Sequence, residues 1–187
     1  MNSGSFGPGR RSLSLIGNTP LAPIRHGIKG VEIYAKMEYF NPTGSVKDRA
    51  VKGMIEQALA DDLLAGRTLI EATSGNTGIA LAAIGAALQL GVHIFMPANA
   101  STERKRLLSI LGATVTYTDP LEGTDGAQAE ARRCAAAEPN RYYYPDQYAN
   151  PANWQAHYRG TGPEIWEQSD GRVTHFIAGL GTSGTFV

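Results

Sequence analysis

The sequence predicts an α/β protein built on a twisted parallel sheet with flanking helices. Short apolar, β-branched runs, such as residues 68–72 and 92–96, alternate along the chain with amphipathic segments of ten or more residues. This alternation is typical of strand–helix–strand units, whose strands lie parallel. Ligands of such sheets bind beyond the carboxyl ends of the strands. The loops that follow the strands are therefore the expected place for a site.

The first elements are predicted from local stop and start signals. Alternating apolar residues predict a strand at residues 31–37. Ser45 is a good N-cap, and Asp48 three residues later completes a capping-box pattern. Apolar residues then recur at helical spacing to about residue 64, and Gly66 ends the helix.

The later elements continue the alternation. After the strand at residues 68–72, Gly78 opens a helix that ends near residue 90, and Pro97 closes the strand at residues 92–96. Ser101 caps the next helix, which runs through residue 111. The remaining predictions are strands at 115–117, 142–144 and 174–178, and helices at 124–137 and 153–169, the last interrupted around 160–163.

Composition narrows the class of protein. The chain has 187 residues, enough for one ample domain or two small ones. Its 17 basic residues balance 17 acidic ones, which argues against a nucleic-acid footprint or a polybasic membrane patch. The longest apolar run, residues 79–90, is too short to span a membrane.

The single Cys134 has no partner for an internal disulfide, which favours a packed structural thiol and a cytoplasmic setting. The four histidines lack the spacing of a metal site, and residues 1–11 read as a flexible Gly/Ser/Arg tail.

One lysine lies where an amine nucleophile can be prepared. Lys47 stands in the stretch Asn-Pro-Thr-Gly-Ser-Val-Lys-Asp-Arg, just inside the start of the predicted helix. The positive end of the helix dipole disfavours its ammonium form. A half-desolvated lysine of this kind can attack carbonyl carbons and form a Schiff base. The alternative is an ordinary surface lysine in the first turn of a helix.

The loop after the strand at residues 68–72 has the chemistry of an anion site. Its sequence, Thr-Ser-Gly-Asn-Thr at residues 73–77, places three hydroxyls and an amide around a glycine, just before a helix N-terminus. Free backbone N–H groups and the helix dipole favour a carboxylate there. The alternative is a Ser/Thr-rich N-cap without a ligand.

A second glycine loop follows the predicted strand at residues 174–178. Residues 179–184 match the pattern G-x-G-x-x-G, which alone suggests a dinucleotide fold. The motif lies in the last strand–loop unit of this sequence, however, and the hydroxyls of Thr182, Ser183 and Thr185 suit a compact phosphate monoester. The alternative is a flexible glycine turn.

In this order, the three motifs resemble the fold-type II family of pyridoxal-phosphate enzymes, and within it the cysteine synthases (O-acetylserine sulfhydrylases and their B-type or O-phosphoserine-using relatives). The resemblance covers residues 15–187 and implies a tryptophan-synthase-β-like fold with pyridoxal 5'-phosphate as cofactor. It implies that Lys47 is the catalytic, cofactor-bonded lysine. It also implies that Asn76 contacts the phenolic oxygen of the cofactor. The other implied contacts are the cofactor phosphate at Gly181, Thr182, Ser183, Gly184 and Thr185, and the amino-acid substrate at Thr73, Ser74, Gly75, Asn76, Thr77 and Gln147.

The function implied by this resemblance is a β-replacement that makes L-cysteine from O-acetylserine or O-phosphoserine and a sulfur donor, in a homodimer. Rivals of the same fold are cystathionine β-synthase, serine dehydratase and threonine synthase. A non-catalytic module that kept the fold is a rival from another class. A nucleotide-dependent oxidoreductase would rest on the glycine pattern alone.

The resemblance also implies a division of the chain. Residues 41–150 are expected to form a smaller mobile domain, and residues 12–40 and 151–187 to belong to a larger cofactor-binding domain. The family continues well past the position of residue 187 and carries the group that bonds the pyridine nitrogen there. We therefore expect a fragment or a truncated product with an incomplete second domain. The sequence assigns no role to His157 or Tyr158.

Overall fold

The structure, a computed structural model, describes residues 8–186. The first seven residues of the predicted tail lie outside this range, and its last four belong to a short helix, α1 (Pro8–Leu13). The remaining helices and strands alternate as the sequence predicts. They are β1 (Leu21–Pro23), β2 (Tyr34–Lys36), α2 (Lys47–Ala60), β3 (Thr68–Ala72), α3 (Asn76–Leu88), β4 (Val92–Pro97), α4 (Thr102–Ile110), β5 (Thr114–Thr118), α5 (Gly123–Ala137), β6 (Tyr142–Tyr143), α6 (Pro151–Ala156) and α7 (Gly162–Gln168).

A four-stranded parallel sheet forms the centre of the fold, and it confirms the predicted fold class. Its strand order is β5-β4-β3-β6. In the register, Leu69 pairs with Val92, and His93 pairs with Thr114. The carboxyl ends of β3 and β4 therefore lie at the same edge, where loop 73–77 begins. A separate antiparallel pair, β1 with β2, precedes the sheet.

Helices cover both faces of the sheet. On one face α2, α3 and α4 bury one apolar cluster against the strands, with Met54, Leu81 and Leu69 almost inaccessible to solvent. On the other face α5 packs its alanines, Ala127 among them, against Phe95. Successive residues of a strand point to opposite faces, which is why neighbours in β3 belong to different clusters.

Helix α6 packs directly on α2 because a glycine lies at their contact. A Cβ atom added at Gly53 would lie 2.8 Å from the carbonyl oxygen of Ala152 and 2.9 Å from the Cβ of Ala156. Without that side chain the two backbones approach closely. This contact fixes the position of α6, and with it the position of Asn153.

Two predicted strands differ from the observed structure. The strand predicted at residues 31–37 is confined to β2, the part that pairs with β1. The strand predicted at residues 174–178 is wrong, because this segment contains no strand in the part of the chain that the structure describes. A strand requires a hydrogen-bonded neighbour, and no described strand pairs with this segment. Ile177 is accordingly 92% exposed.

Helix boundaries also deviate from the predictions. Helix α2 ends at Ala60, four residues before the predicted end, and Gly66 lies beyond it with a φ of +69°. Helix α3 begins at Asn76 rather than Gly78. The interruption predicted around residues 160–163 is a π-helical turn, His157–Thr161, between α6 and α7. No helix in residues 8–186 combines the length and the apolarity that crossing a membrane requires.

A buried ionic network connects the start of α2 to the segments on either side of it in the chain. The Arg49 guanidinium is 5% exposed and lies 2.7 Å from carboxylate oxygens of both Glu38 and Glu164. Glu164 also pairs with Lys36 at 2.7 Å, and Thr19 donates its hydroxyl to Glu38 at 2.6 Å. Burial alone would raise the pKa of Glu164, but the hydrogen bonds from Arg49 and Lys36 lower it to about 2.

We predict that Arg49→Met destabilises the full-length protein by about 3–5 kcal/mol, because the carboxylates of Glu38 and Glu164 lose their shared partner. Arg133→Met is the matched control, since Arg133 pairs with Glu130 while its side chain is 67% exposed. That control should change the free energy of unfolding by no more than about 1 kcal/mol. Chemical denaturation of both variants measures the difference.

The pH dependence provides a second measurement of the same network. A carboxyl whose folded pKa lies below its unfolded value stabilises the fold above the unfolded value, and this contribution is lost as pH falls through the folded value. The stabilisation lost in Glu164→Gln should therefore be fully present above pH 4.5 and fade as pH approaches about 2. Equal effects of the variant at both extremes would contradict the ionic account.

Candidate active site

Lys47 is the first residue of α2 and is half-buried. Burial lowers the pKa of its amine below the usual 10.5. Its Nζ atom makes no hydrogen bond or ion pair with the residues that the structure describes. The side chain is thus an amine with a weakened preference for the charged form and no acidic partner among those residues.

The start of α2 is built differently from the predicted capping box. Ser45 Oγ accepts a hydrogen bond from the Lys47 N–H at 3.2 Å, but Val46 occupies the N-cap position. The Asp48 carboxylate does not reach back to Ser45. It accepts the N–H of Thr43 at 2.8 Å and also the Thr43 hydroxyl. Gly44, with a φ of +81°, turns the chain so that Thr43 lies over Asp48. The loop before Lys47 is therefore closed by a carboxylate inside the helix.

The loop at residues 73–77 ends at the N-terminus of α3 and keeps free donors. Thr73 Oγ1 accepts the Gly75 N–H at 3.1 Å, which closes the turn. The N–H groups of Asn76 and Thr77 make no hydrogen bond with the described residues, as expected for the first turn of a helix. The Asn76 side chain is exposed, and Ser74 is half-buried. Unpaired N–H groups at this end of a helix suit an anion.

Gln147 lies against this loop although 70 positions separate it from Thr77. The Thr77 hydroxyl donates to Gln147 Oε1 at 2.7 Å, and both residues are buried. With Oε1 occupied, the Nε2 amino group of Gln147 keeps its two hydrogens for another acceptor. The structure therefore brings together two of the regions that the sequence analysis assigned to a substrate.

Glu71 is a buried residue beside Gln147, and the sequence analysis did not identify it. It lies in β3, is inaccessible to solvent, and accepts the Gln147 N–H at 3.2 Å and the Ala72 N–H at 3.0 Å. Burial raises the pKa of Glu71 to about 7 against the effect of these two donors. An acidic residue inside an otherwise apolar strand was the available signal in the sequence.

The glycine loop presents a row of backbone donors. Ser183 adopts a left-handed φ of +64°, and its carbonyl accepts the Phe186 N–H at 2.9 Å. The N–H groups of residues 182–185 make no hydrogen bond with the described residues. Such a turn, with successive free N–H groups, forms a concave anion site. Thr182 and Thr185 are half-buried, while Gly181 and Ser183 are exposed.

Gly184 is buried, and its lack of a side chain is a requirement of packing. A Cβ atom added at Gly184 would overlap Asn153 Oδ1, whereas one added at Gly181 would meet nothing within 4 Å. These two of the three glycines of the motif are therefore present for different reasons. Gly184 allows contact with α6, and Gly181 leaves open space on the exposed side of the loop.

Asn153 joins the two loops, and the sequence analysis did not identify it. Its Nδ2 amino group donates to the carbonyl oxygen of Gln147 at 2.7 Å and to Thr182 Oγ1 at 2.9 Å. The residue is 4% exposed. Hydrogen bonds thus run without a break from Thr77 through Gln147 and Asn153 to Thr182.

His157 is the buried histidine next to the lysine. Its Nδ1 atom lies 2.9 Å from Thr161 Oγ1, within the π-helical turn. Burial, and then the positive charges of Arg49 and Lys47, lower the pKa of His157 to about 4. The imidazole is neutral at physiological pH and adds no charge near Lys47. Tyr158, its neighbour, is exposed. Within residues 8–186 there is no group of three or more acidic, cysteine or histidine side chains that could hold a metal ion.

The lowered pKa of Lys47 predicts its reactivity. In the full-length protein freed of bound ligands, acetic anhydride should modify Lys47 with a pH midpoint below 10.5, because burial destabilises the ammonium form. Peptide mass spectrometry at graded pH measures this midpoint, with N-acetyl-lysine amide as the internal reference. A midpoint at or above that of the reference would contradict the desolvated state of the amine.

Comparisons with known proteins assign the chain to a family. Residues 13–187 match the family described as pyridoxal-phosphate dependent enzymes. The cysteine synthase of Aquifex aeolicus (strain VF5) is 52% identical over 181 residues, which are 94% of this chain and 55% of that protein. Cysteine synthase A of Escherichia coli (strain K12) is 45% identical over 171 residues, 91% of this chain and 53% of that protein. The chain thus spans about half the length of the curated relatives it matches.

Solved structures show the same likeness in three dimensions. The crystal structure of cysteine synthase from Entamoeba histolytica superposes with a TM-score of 0.88 at 39% identity, covering 99% of this chain and 56% of that one. A hydrogen sulfide-producing enzyme from Fusobacterium nucleatum gives a TM-score of 0.87 at 40% identity, covering 98% of this chain and 60% of that one. With the fold, the three motif loops and these matches in agreement, the chain belongs to the family of pyridoxal-phosphate dependent enzymes, in its fold-type II architecture.

Proposed function

We propose that the full-length protein makes L-cysteine by a pyridoxal-phosphate-dependent β-replacement on an O-activated serine, either O-acetylserine or O-phosphoserine. The observation that carries this proposal is the hydrogen-bonded connection of the loop at residues 73–77 to the glycine loop through Gln147 and Asn153. It stands together with a half-buried lysine, Lys47, that has no acidic partner among residues 8–186. The sequence identity to cysteine synthase relatives, 45–52% for several of them, supports the same reaction.

The residues present fit pyridoxal phosphate. The cofactor needs a primary amine for its aldehyde and several donors for its phosphate. Lys47 would provide the amine, and its lowered pKa favours the nucleophilic form. The free N–H groups and hydroxyls of residues 181–185 would hold the phosphate. Asn76, exposed at the start of α3, would reach the phenolic oxygen of the cofactor. When bound, the cofactor draws away the electron pair left at the substrate Cα.

The loop at residues 73–77 would hold the carboxylate of the substrate. The N–H groups of Asn76 and Thr77 would donate to it, with the side chains of Thr73 and Ser74 around it. Gln147 Nε2 makes no hydrogen bond with residues 8–186 and would donate to the same oxygens, while Oε1 accepts from Thr77. This arrangement fixes the orientation of Cα relative to Lys47. Orientation of this kind is a main source of rate enhancement in enzymes.

Lys47 Nζ is then placed to take the proton from the substrate Cα and to return it at the end. Between these events the Cβ–O bond breaks, acetate or phosphate leaves with the bonding pair, and a sulfide anion forms the new C–S bond at Cβ. His157 is neutral, with a pKa of about 4, so it leaves the proton balance at Lys47 undisturbed. The chain's own contribution is therefore binding, orientation and one mobile proton.

We also propose the division of the chain into residues 41–150, and residues 12–40 with 151–187. All four strands of the parallel sheet lie in the first unit. Contacts between Lys36 and Gln168 at 2.8 Å, and between Glu32 and Arg172 at 3.0 Å, connect the two parts of the second. Most of the exposed large apolar side chains in residues 8–186 belong to this second unit, among them Ile28 and Phe40. They support the further proposal of a homodimer, which we place in the cytoplasm.

The direct test is product formation. The full-length protein with pyridoxal phosphate, O-acetylserine and sulfide should release cysteine, and O-phosphoserine in a parallel assay distinguishes the two leaving groups. Borohydride reduction followed by peptide mapping should place the pyridoxyl label on Lys47. A label on Lys36, Lys52 or Lys105 would refute the assignment. Pyruvate from serine, or cystathionine from serine and homocysteine, without cysteine synthesis would replace the proposed reaction.

Asn76→Ala tests the contact of this side chain with the phenolic oxygen of the cofactor. Losing a hydrogen bond to a charged group costs about 1.5–3 kcal/mol, so turnover should fall roughly ten- to a hundredfold while pyridoxal phosphate stays bound. Steady-state kinetics with the preferred O-activated serine measure the loss. Asn140→Ala is the matched control, because Asn140 is an exposed asparagine in a turn before β6. Wild-type turnover in Asn76→Ala would remove this residue from the site.

A further inference from the structure

Asn153 occupies a position that neither motif analysis nor the proposed reaction assigns. It lies in α6 and is 4% exposed. The two hydrogens of its side-chain amide are donated to two different loops. One goes to the peptide carbonyl of Gln147 and the other to the hydroxyl oxygen of Thr182. An asparagine amide has only these two donors. Both donors of this side chain are therefore used to connect the two loops.

We propose that Asn153 is a positioning residue that turns the Thr182 hydroxyl into an obligate donor toward the bound phosphate and couples that loop to the Gln147 end of the substrate site. This inference rests on the proposed function. It adds to it a residue that touches neither cofactor nor substrate and acts through Thr182 and Gln147.

The direction of the Thr182 hydroxyl follows from hydrogen-bond inventory. A threonine hydroxyl carries one hydrogen and two lone pairs. Because Asn153 Nδ2 donates to Oγ1 at 2.9 Å, one lone pair is used and the hydroxyl hydrogen points elsewhere. Accepting one hydrogen bond also polarises the hydroxyl and strengthens the bond that it donates. A phosphate group accepts and has no hydrogen to give when fully ionised, so this polarity matches it.

The position of Asn153 is itself fixed on three sides. Helix α6 is held against α2 at Gly53. Asn153 Oδ1 lies so close to Gly184 that a Cβ atom there would overlap it. The backbone of Gln147 is held at both of its polar groups. Its N–H donates to the Glu71 carboxylate, and its carbonyl oxygen accepts from Asn153 Nδ2. A change at Asn153 should therefore reach both loops, because each loop accepts one of the two hydrogen bonds of this amide.

A double-mutant cycle on the full-length protein separates positioning from general structural support. The single variants are Asn153→Ala and Thr182→Val, and the measured quantity is the dissociation constant of pyridoxal phosphate. We expect each single variant to weaken binding about tenfold, as for loss of a charge-assisted hydrogen bond. The double variant should bind no more weakly than Thr182→Val alone, because Asn153 acts through that hydroxyl. Additive losses, about a hundredfold in the double variant, would overturn the inference.

A second variant keeps the test decisive if Asn153→Ala fails to fold. Asn153→Asp preserves the shape of the side chain, but a carboxylate accepts the Thr182 hydroxyl instead of donating to it. The hydroxyl then turns away from the phosphate, so adding Thr182→Val in this background should leave affinity unchanged. The ³¹P NMR signal of the bound cofactor should shift alike in Asn153→Asp and Thr182→Val. A wild-type signal in Asn153→Asp would contradict the assignment.

These experiments also distinguish a failure of this inference from a failure of the proposed function on which it rests. A wild-type protein that binds no pyridoxal phosphate refutes the proposed function, and the inference with it. A wild-type protein that binds the cofactor and makes cysteine, with an additive cycle, refutes the role of Asn153 alone. The connection to Gln147 is measured by the Michaelis constant of the O-activated serine at saturating pyridoxal phosphate, which should rise more in Asn153→Ala than in Thr182→Val. Equal effects of both variants on that constant would contradict the connection to Gln147.

Discussion

The buried guanidinium of Arg49 is the interaction on which the placement of Lys47 depends. Arg49 lies two residues after the lysine, so whatever holds its side chain also fixes the first turn of α2. Its partners Glu38 and Glu164 come from segments before and after the parallel sheet. Glu164 also forms an ion pair with Lys36 and accepts a hydrogen bond from the Asn18 N–H. Charges this deep are stable only when all are paired. The site lysine is therefore anchored by a network that contains no active-site group.

Prediction from sequence succeeded where the signals are local. Strand β3 was predicted with its observed ends, and Ser101 caps α4 as expected, accepting the Arg104 N–H at 3.4 Å. The segment at residues 174–178 failed, because strand propensity alone does not supply the neighbouring strand that its backbone needs. The capping box failed for a related reason. Asp48 had a competing partner in Thr43, which the turn at Gly44 brought within reach.

The residues of the candidate site likewise differ in whether the sequence alone could indicate them. Lys47 and the two glycine-containing loops could be proposed from sequence because each motif is continuous in the chain and its chemistry can be interpreted in isolation. Glu71 and Asn153 were missed because their importance arises from partners far along the chain, Gln147 for one and Thr182 for the other. A buried glutamate in a strand and an asparagine in a short helix look unremarkable until the fold supplies their neighbours.

The π-helical turn at His157–Thr161 imposes a constraint on chain length. In it the Gly162 N–H bonds to the carbonyl of His157, five residues back, so the turn holds one residue more than an α-helix would. A regular α-helix covers the same rotation with one residue fewer, so deleting one residue here would let the turn close as α-helix and leave α7 in nearly the same orientation. Each α-helical residue turns the chain by about 100°, so one further inserted residue, which the wide turn no longer absorbs, would rotate α7 and move Glu164 away from Arg49. Homologous sequences should therefore lose a residue in this stretch more readily than they gain one.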